Sequence, residues 1–401
     1  MKEKINVGLF IDTYYPMVDG VITVVDNYAR KLIKYANVTV FAPEFPGKPF
    51  DDSKLPYKVV RCAAFKFPII DYGLPAPKLD SIFKKQLEES NLDIVHIHSP
   101  FMVGKAGIKY AKEHNIPVIA TMHSQFKQDL KRAVKSEKFA TMLNNTIMNT
   151  LNKCDECWAV NSEVARIFYE DYGYKTMPRV MNNATEMQLL DSSAEAHDLI
   201  NKMHNISPDE KVFLFVGRIN ILKNIFFIVD ALKKIKETNP DFKFKMLFVG
   251  SGQDEDQLKE RIKKDNMENE IILCGRATDK KLLASYFNRA DLFLFPSLYD
   301  ASSIVQIEAA SQKTPTVFIK GAATTATVTD NVNGFLSENN VEAYANKIIE
   351  VLNNKELYNK VCENAYKDLY KSWDDAIKEV FELYKKFIQE KQEAKVWKEQ
   401  N

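Results

Sequence analysis

The chain has 401 residues, of which 45% are hydrophobic and 27% charged, and its formal net charge is +1. This length favours two domains, and the composition excludes a disordered or fibrous protein. Because the net charge is near zero, there is no overall attraction to nucleic acid, and we expect no nucleic-acid partner.

The sequence contains no run of the roughly eighteen apolar residues that a membrane-spanning helix needs. The N-terminus leads directly into an apolar strand and lacks a small-residue cleavage site, so no secretory signal is predicted. The five cysteines are too few and too scattered for a disulfide framework. We therefore expect a cytoplasmic protein, with the inner face of the cell membrane as the place of any peripheral attachment.

Short runs of β-branched and aromatic residues alternate with longer amphipathic stretches in the first half of the chain. This alternation is typical of a doubly wound α/β sheet whose parallel strands are buried on both faces. The predicted strands are Ile5–Ile11, Val38–Ala42, Lys58–Ala63, Asp93–His98 and Pro117–His123, and helices are predicted at Val21–Tyr35 and Phe101–His114.

The sequence from Asp191 to Glu210 is polar and aperiodic, and we interpret it as a linker. The α/β pattern then restarts, so we predict two Rossmann-like domains, 1–190 and 191–372, that face each other across a cleft. Ligands of open α/β sheets bind at the carboxyl ends of the strands. From about Trp373 one amphipathic helix is predicted, with one face buried. The second set of strands is Lys211–Val216, Lys243–Val249, Glu270–Cys274, Asp291–Phe295 and Pro315–Ile319.

Three segments at predicted strand ends carry candidate binding residues. Gly20 opens a helix after the first strand, where backbone amides can approach a phosphate, although a plain tight turn explains it equally well. Arg218 and Lys223 follow the first strand of the second half and form a reasonable diphosphate clamp, although surface cations are common.

The third segment is Phe295–Ala310, in which an apolar strand is followed by a polar turn and a largely apolar helix. Ser302 or Ser303 can cap this helix, and an anion at its start can meet the backbone amides of Ile304 and Val305. Glu308 lies among apolar residues, where a carboxylate needs a partner. That partner is either the vicinal hydroxyls of a ribose or a buried Arg or Lys.

This order of elements resembles the retaining glycosyltransferases of family 4 (glycosyltransferase group 1), which have the GT-B fold. The resemblance covers nearly the whole chain, and the joint order of its motifs at strand ends makes it specific. The matching motifs are the Pro16/Gly20 turn, Asp93–Pro100 (DIVHIHSP), Thr121-Met122-His123, Val216–Lys223, Gly250-Ser251-Gly252, Asp300-x7-Glu308, Thr314-Pro315 and Asn333-Gly334.

The resemblance implies that the first domain binds the acceptor and the second a nucleotide sugar, with UDP-glucose or a related hexose donor expected. It also implies that 373–401 packs back on the first domain. Arg218 and Lys223 would then neutralise the diphosphate. Glu308 would hold the ribose, and Asp300 would bind the hydroxyls of the transferred sugar. His123 would bond a sugar hydroxyl or stabilise the oxocarbenium-like state, its structural alternative being a core histidine. The implied catalytic residues are His123, Asp300, Arg218 and Lys223, and the implied donor-binding residues are Gly20, Arg218, Lys223, Gly250, Gly275, Asp300, Ser302, Ser303, Ile304, Val305 and Glu308.

Two departures from the family pattern concern the transferred sugar. Asp300 stands where the family usually has Glu, and Ala301-Ser302-Ser303 replaces the common Gly-Phe-Gly. Both are similar to a subgroup of bacterial diacylglycerol glucosyltransferases, so we interpret them as variation rather than loss of function. No metal or other cofactor is expected: Asp254-Glu255-Asp256 is interpreted as a solvated helix start, and Cys154-x-x-Cys157 lacks further ligands.

A basic amphipathic segment follows His123 and suits anionic lipid headgroups, although a core-facing helix with a solvated outer face is an equal alternative. Its cations are Lys127, Lys131, Arg132, Lys135 and Lys138. The resemblance favours a membrane lipid such as diacylglycerol as the acceptor. Alternative functions are the same transfer to a soluble or polysaccharide acceptor, a sugar-nucleotide epimerase or phosphorylase, and a non-catalytic sugar-nucleotide-binding protein.

Overall fold

The computed structural model describes residues 4–17, 19–66, 73–124 and 136–397, and the backbone of 398–400. The chain divides into two compact units: unit 1 comprises the residues up to Asn182 and those from Trp373 onward, and unit 2 comprises Asn183–Ser372. The boundary predicted at 190/191 is therefore too late. The Asn183 Nδ2 donates to the carbonyl of Ser302 at 3.4 Å and the Leu190 amide donates to Gln312 Oε1 at 3.2 Å, both within unit 2.

Unit 1 is built on a parallel sheet that has, among the described residues, seven strands in the order β3-β2-β1-β6-β7-β8-β9. Its central strands are buried on both faces, which is why they read as continuous apolar runs in the sequence. A small antiparallel pair, β4-β5, lies outside the sheet. The strands are β1 Asn6–Phe10, β2 Asn37–Pro43, β3 Lys58–Cys62, β4 Ala64–Phe65, β5 Leu74–Pro75, β6 Ile94–Ile97, β7 Val118–Met122, β8 Glu156–Ala159 and β9 Arg179–Val180.

The helices of unit 1 connect these strands, and several begin at a residue whose side chain caps the first turn. Asp19 accepts a hydrogen bond from the Ile22 amide at 2.8 Å, and Asp80 accepts one from the Phe83 amide at 2.9 Å. The helices in unit 1 before the boundary are Gly20–Leu32, Ser81–Glu89, Met102–Glu113, Glu137–Leu151 and Ser162–Arg166.

Unit 2 repeats the architecture with a parallel sheet in the order β12-β11-β10-β13-β14-β15. The five strands predicted for this half are present within a residue or so, and the short last strand was not predicted. Phe213, Leu214, Phe248 and Phe293 of the central strands are fully buried. The strands are β10 Lys211–Val216, β11 Phe244–Val249, β12 Ile271–Gly275, β13 Leu292–Phe295, β14 Thr316–Ile319 and β15 Phe335–Ser337.

The segment interpreted as a linker is largely a helix of unit 2, Ser193–His204, so that interpretation is wrong. Only Ala196 and Ile200 of this helix are buried, one turn apart, which makes its apolar face too narrow to stand out in the sequence. Polar contacts complete its packing, such as His197 Nε2 to the carbonyl of Asn288 at 2.9 Å. The other helices of unit 2 are Ile225–Thr238, Glu255–Lys264, Lys280–Arg289, Ile304–Ser311, Val341–Asn353 and Lys355–Leu369.

The C-terminal helix, Trp373–Gln400, belongs to unit 1, as the family resemblance implied. Tyr384 of this helix is fully buried, and its hydroxyl lies 2.5 Å from Nδ1 of His96 in β6. Asp374 pairs with Lys31 at 2.9 Å. The last helix of the chain is therefore part of the core of the first unit.

Each sheet has a point at which its strand order reverses. In unit 1, β1 lies between β2 and β6, and in unit 2, β10 lies between β11 and β13. At the carboxyl ends of such strands the loops diverge in opposite directions and leave a crevice. This crevice is the usual ligand position in open α/β sheets. The predicted site residues follow these strands.

Candidate active site

The loop after β10 presents a cation without a partner. Arg218 is exposed, and its guanidinium has no hydrogen bond or ion pair with any residue in the described part of the chain. The loop continues into a single helical turn, Ile221–Lys223, in which the Asn220 side chain accepts from the Lys223 amide at 3.2 Å. Asn224 then adopts a left-handed conformation with φ 60°. This local structure holds Arg218 and Lys223 at the strand end.

Lys223 and Asp300, which the sequence assigns to different parts of the donor, form an ion pair in unit 2. Their side chains are only 18% and 15% exposed. The other carboxylate oxygen of Asp300 accepts from the Ser297 hydroxyl at 2.6 Å, so the loop after β13 fixes this carboxylate from two sides. Asp300 therefore holds the Lys223 ammonium at the end of β10.

The helix Ile304–Ser311 begins without a side-chain cap. Ser303 occupies the N-cap position with extended backbone, but its hydroxyl does not bond to the amides of the first turn. The predicted cap by Ser303 is thus absent, and Ser302 instead accepts from Asn183 through its carbonyl. No side chain in the described part of the chain accepts from the first-turn amides of Ile304 and Val305, which leaves them open to an anion.

Glu308 lies one turn further along the same helix and is partly buried. Its carboxylate has no hydrogen bond or ion pair with a described residue, so the buried cation considered in the sequence is not present there. Burial raises the pKa of Glu308 to about 7, and the positive charge of Lys280 opposes this only in part. An unpaired carboxylate beside apolar residues is a costly arrangement that a ligand with two hydroxyls would satisfy.

The predicted donor-binding glycines shape the loops around Arg218. Gly250 has φ 146°, and a Cβ there would lie 1.9 Å from the carbonyl oxygen of Gly217. Its amide donates to the Gly275 carbonyl at 2.7 Å. Asp254 is buried and accepts from the Ile221 amide at 2.7 Å, so its interpretation as part of a solvated helix start is wrong. It instead pins the turn that carries Lys223.

In unit 1, the buried Asp12 after β1 organises the corresponding strand ends. Its carboxylate accepts from the Val103 amide at 2.6 Å and the Phe101 amide at 3.2 Å, at the start of the helix Met102–Glu113. The Ser99 hydroxyl donates to it at 2.7 Å. Burial raises the pKa of Asp12, although these hydrogen bonds favour its charged form.

Gly20 lies at the first position of its helix and is exposed. A Cβ there would meet no atom within 4 Å, so packing within unit 1 does not require a glycine. Asp19 already accepts from the Ile22 amide of this turn. The predicted phosphate contact at this terminus therefore has to use the Gly20 and Val21 amides, and the role of Gly20 stays a prediction.

We expect Asp12→Asn to destabilise unit 1 by about 2–4 kcal/mol, because one amide oxygen cannot replace a charged acceptor of several N–H groups. Urea unfolding followed by circular dichroism measures this. Asp19→Asn is the matched control, since Asn caps helices as well as Asp does. Equal stability of the two variants would contradict the assigned role of Asp12.

Three histidines lie together at the ends of β6 and β7. His98 Nδ1 lies 3.0 Å from His123 Nε2, and the two rings are stacked with their centroids 5.3 Å apart. His96 Nε2 lies 2.7 Å from the Thr121 hydroxyl. Burial lowers the pKa of His123 to about 4, so its ring is uncharged at neutral pH. His123 is partly exposed and is the member of the cluster that a ligand can reach.

Most of the predicted membrane-binding cations lie outside the described residues, namely Lys127, Lys131, Arg132 and Lys135. Lys138 is exposed near the start of the helix Glu137–Leu151, beside the exposed Phe139 and Met142. No helix of the described chain is both long enough and apolar enough to cross a membrane.

The sequence pointed to the strand ends but missed several residues there. Ser297, Asp12 and His98 were not assigned a role, although all three are polar residues at or near the carboxyl ends of buried strands. Arg276, which bonds the Ser251 hydroxyl at 2.6 Å, was also missed. The general signal is a polar residue directly after an apolar run, and only the fold shows which of these face one another.

Two family models match the chain in succession. Residues 18–188 match the model described as Glycosyltransferase Family 4, and residues 197–368 match the model described as Glycosyl transferases group 1. Together these ranges span most of the chain but not the C-terminal helix. The matches contain every predicted site residue that the structure describes.

Curated relatives and solved structures point the same way. The chain is 24% identical over 394 residues to the alpha-monoglucosyldiacylglycerol synthase of Acholeplasma laidlawii, covering 91% of this chain and 97% of that protein. It is 24% identical over 318 residues to the synthase of the same name from Streptococcus pneumoniae, covering 78% and 70%. The structure of Anabaena HepE in complex with UDP matches with a TM-score of 0.75 at 15% identity, covering 95% of this chain and 100% of that one. The predicted GT-B fold is confirmed by this likeness.

Proposed function

Because the chain belongs to the glycosyltransferases of family 4 and has their fold, we propose that it is a retaining glucosyltransferase. It takes glucose from UDP-glucose and transfers it to a hydroxyl of a membrane lipid, with diacylglycerol as the expected acceptor. It uses no metal. The observation that carries the donor site is the group of open polar atoms in unit 2: the Arg218 guanidinium, the first-turn amides of Ile304–Ser311, and the Glu308 carboxylate.

The diphosphate is the group that these open donors fit. Arg218 supplies a planar fork of N–H donors, Lys223 a point charge, and the uncapped helix start supplies backbone amides. Breaking the anomeric bond places negative charge on the leaving diphosphate, and fixed donors aimed at that charge are usually the largest catalytic contribution. Solved complexes of Anabaena HepE hold UDP and UDP-glucose, which supports a nucleotide sugar as the ligand.

The ribose fits Glu308 by distance and by charge. Glu308 follows Ile304 by four positions, and at 1.5 Å per residue its backbone lies about 6 Å further along the helix, with its side chain directed back toward the helix start. A ribose joined to a diphosphate at the helix start is within reach of this carboxylate. Its two vicinal hydroxyls would give the unpaired carboxylate two donors.

We propose that the acceptor attacks from the face on which the diphosphate leaves. The acceptor oxygen bonds to the anomeric carbon as the bond to the diphosphate breaks, and the acceptor proton passes to the leaving phosphate oxygen. Asp300 is held by Lys223 and Ser297, which leaves it poorly suited as a nucleophile. A trapped covalent bond between glucose and a carboxylate of this chain would contradict this route.

The lipid acceptor is supported by an exposed apolar–basic patch on unit 1. The strand pair β4-β5 brings Phe65 directly opposite Leu74, and both are exposed. Leu79 and Ile82, at the start of the helix Ser81–Glu89, are 79% and 69% exposed. Large apolar side chains grouped in this way on a surface mark an interaction site.

One carboxylate joins the two parts of this patch. Asp80 caps the helix through the Phe83 amide and also accepts from the Ala63 amide, next to β4, at 2.8 Å. The strand pair and the helix start are therefore held side by side. Lysines border the apolar residues, and a mixture of exposed apolar side chains and cations suits an anionic lipid surface. The bordering lysines are Lys66, Lys78, Lys84 and Lys85, all exposed.

The function is tested by incubating the protein with labelled UDP-glucose and anionic vesicles that contain diacylglycerol. We expect a labelled α-glucolipid that forms only with acceptor-containing vesicles and at the same rate in EDTA. Vesicles without diacylglycerol are the control. Label in glycogen or in a soluble sugar would instead support the other acceptors, and conversion of the donor without any acceptor would support an epimerase.

We expect the double substitution Leu79→Glu and Ile82→Glu to lower binding to anionic vesicles by about tenfold or more, because two apolar side chains are removed from the membrane contact. Vesicle sedimentation measures the bound fraction. Leu199→Glu with Met203→Glu, on an exposed helix face of unit 2, is the matched control and is expected to bind like the wild type. Unchanged binding of the first variant would reject the patch as the membrane contact.

A further inference from the structure

The hydrogen bond between His98 and His123 restricts which nitrogen of each ring carries a proton. Two ring nitrogens 3.0 Å apart need one N–H between them, so one ring donates and the other accepts. The two histidines follow adjacent parallel strands, β6 and β7, and this register brings their rings into contact. The question is which ring carries the bridging proton.

Both rings are neutral around pH 7, so each has a single N–H. Burial lowers the pKa of His98 well below its usual range and that of His123 to about 4. Among the residues that the structure describes, neither ring bonds to a carboxylate that would restore the charge. The edge of Tyr28 and the ring of His96 complete the surroundings of His98, at centroid distances of 5.2 Å and 4.2 Å.

The far nitrogen of His98 decides between the two arrangements. His98 Nε2 is buried and has no hydrogen-bond partner among the residues that the structure describes. If His123 donated to His98, the only proton of His98 would sit on Nε2 as a buried N–H without an acceptor, which is rare in folded proteins. If His98 donates from Nδ1, its Nε2 is a bare lone pair, which is the less costly group to leave unpaired.

We propose that His98 is a positioning residue that donates from Nδ1 to His123 Nε2 and thereby holds His123 in the tautomer protonated at Nδ1. The open ring nitrogen of His123 then offers an N–H donor and not a lone pair. His123 Nδ1 makes no hydrogen bond to a described residue, and the side chain is partly exposed.

The consequence for catalysis rests on the proposed function. A donor at His123 Nδ1 bonds the oxygen of a sugar hydroxyl and orients the sugar, whereas it cannot remove the proton of an acceptor. His123 is then a group that touches substrate, and His98 acts through it. This agrees with a transfer in which the leaving phosphate takes the acceptor proton.

The tautomer is measured by nitrogen NMR on protein labelled with ¹⁵N only in histidine. The His123 signals are assigned by their loss in His123→Asn, and the protonated and bare nitrogens of each ring are told apart by their shifts. We expect Nδ1 of His123 to carry the proton in the wild type at pH 7.5. A proton on Nε2 of His123 would overturn the proposal.

Two variants at position 98 separate positioning from packing. The amide nitrogen of Asn reaches the place of the histidine Nδ1, whereas that of Gln reaches the place of Nε2. His98→Asn is therefore expected to keep His123 protonated at Nδ1 and to keep turnover near that of the wild type. His98→Gln is expected to give a mixture of His123 tautomers and a five- to tenfold lower kcat, the size of one lost hydrogen bond.

Equal His123 signals in His98→Asn and His98→Gln would contradict the positioning role proposed for His98. His114→Gln, at an exposed histidine bonded to Glu88, is the control and is expected to change neither the His123 signals nor the rate. If the wild type transfers no sugar while the NMR pattern is as expected, the proposed function fails and the assignment of the tautomer stands.

Discussion

Replacement of Glu308 by Gln is expected to lower kcat/KM for UDP-glucose by roughly 10- to 150-fold without loss of stability. This reduction corresponds to about 1.5–3 kcal/mol, the usual contribution of a hydrogen bond to a charged acceptor. Stability is expected to hold because the carboxylate has no partner in the described chain, so its removal breaks no contact. Initial rates at varied donor concentration and the midpoint of thermal unfolding measure the two effects.

The same residue sets a pH dependence whose direction follows from its raised pKa. The pKa is about 7 in the folded protein, above the ordinary 4.5, so the folded chain holds this proton more tightly than the unfolded chain. The unliganded protein therefore loses stability as pH rises from 4.5 through 7. Two ribose hydroxyls favour the ionised carboxylate, so kcat/KM for the donor is expected to rise between pH 6 and 8.

Glu308→Gln is expected to remove both trends, because the amide does not titrate. Glu342→Gln, at an exposed position of the helix Val341–Asn353, is the control and should keep the wild-type profile. A wild-type donor affinity in Glu308→Gln, or a profile with the same rise, would show that Glu308 does not hold the nucleotide.

Lys223→Ala is expected to reduce kcat by about 10²–10³-fold, the usual effect of removing one fixed donor to a developing negative charge. Single-turnover rates with labelled UDP-glucose isolate the step in which negative charge develops on the leaving diphosphate. The variant also leaves the Asp300 carboxylate, which is 15% exposed, without its cation. We therefore expect a loss of about 1–3 kcal/mol in the free energy of unfolding as well.

The double variant Lys223→Ala with Asp300→Asn separates these two effects. Neutralising Asp300 removes the uncompensated charge, so stability is expected to recover while kcat stays low. Lys313→Ala, which breaks an exposed pair with Glu363, is the control for loss of a surface cation. Recovery of kcat along with stability would mean that Lys223 only holds Asp300 in place.

The sheets could be predicted from the sequence because their signal is local. After Lys211 the strand is apolar up to Val216, since both faces are covered, and the predicted bounds Lys211–Val216 match the structure. The helix Ser193–His204 could not be found this way because only Ala196 and Ile200 are buried. A pattern of two apolar positions does not stand out from a polar background.

The sequence could predict which residues belong to the site, but not which of their side chains contact one another. Arg218, Lys223 and Glu308 were chosen for their place after strands or on an apolar helix. Nothing in the sequence pairs Lys223 with Asp300, which are 77 residues apart, because that contact depends on the order of β10 and β13 in the sheet. The bond between His98 and His123 depends likewise on the neighbouring positions of β6 and β7. Local patterns carry no information about such distant neighbours.

The return of the C-terminal helix to unit 1 has a consequence for the synthesis of the chain. Unit 2 is an insertion within unit 1, and residues 373–400 leave the ribosome only after all the residues that precede them. Until then, His96 lacks the Tyr384 hydroxyl, and Trp158 and Tyr28 lack the aromatic side chains of the helix that pack against them. The unit that begins the chain is thus completed last, after the inserted unit has its whole sequence available for folding. A fragment that ends at Ser372 would contain all of unit 2 and an incomplete core in unit 1.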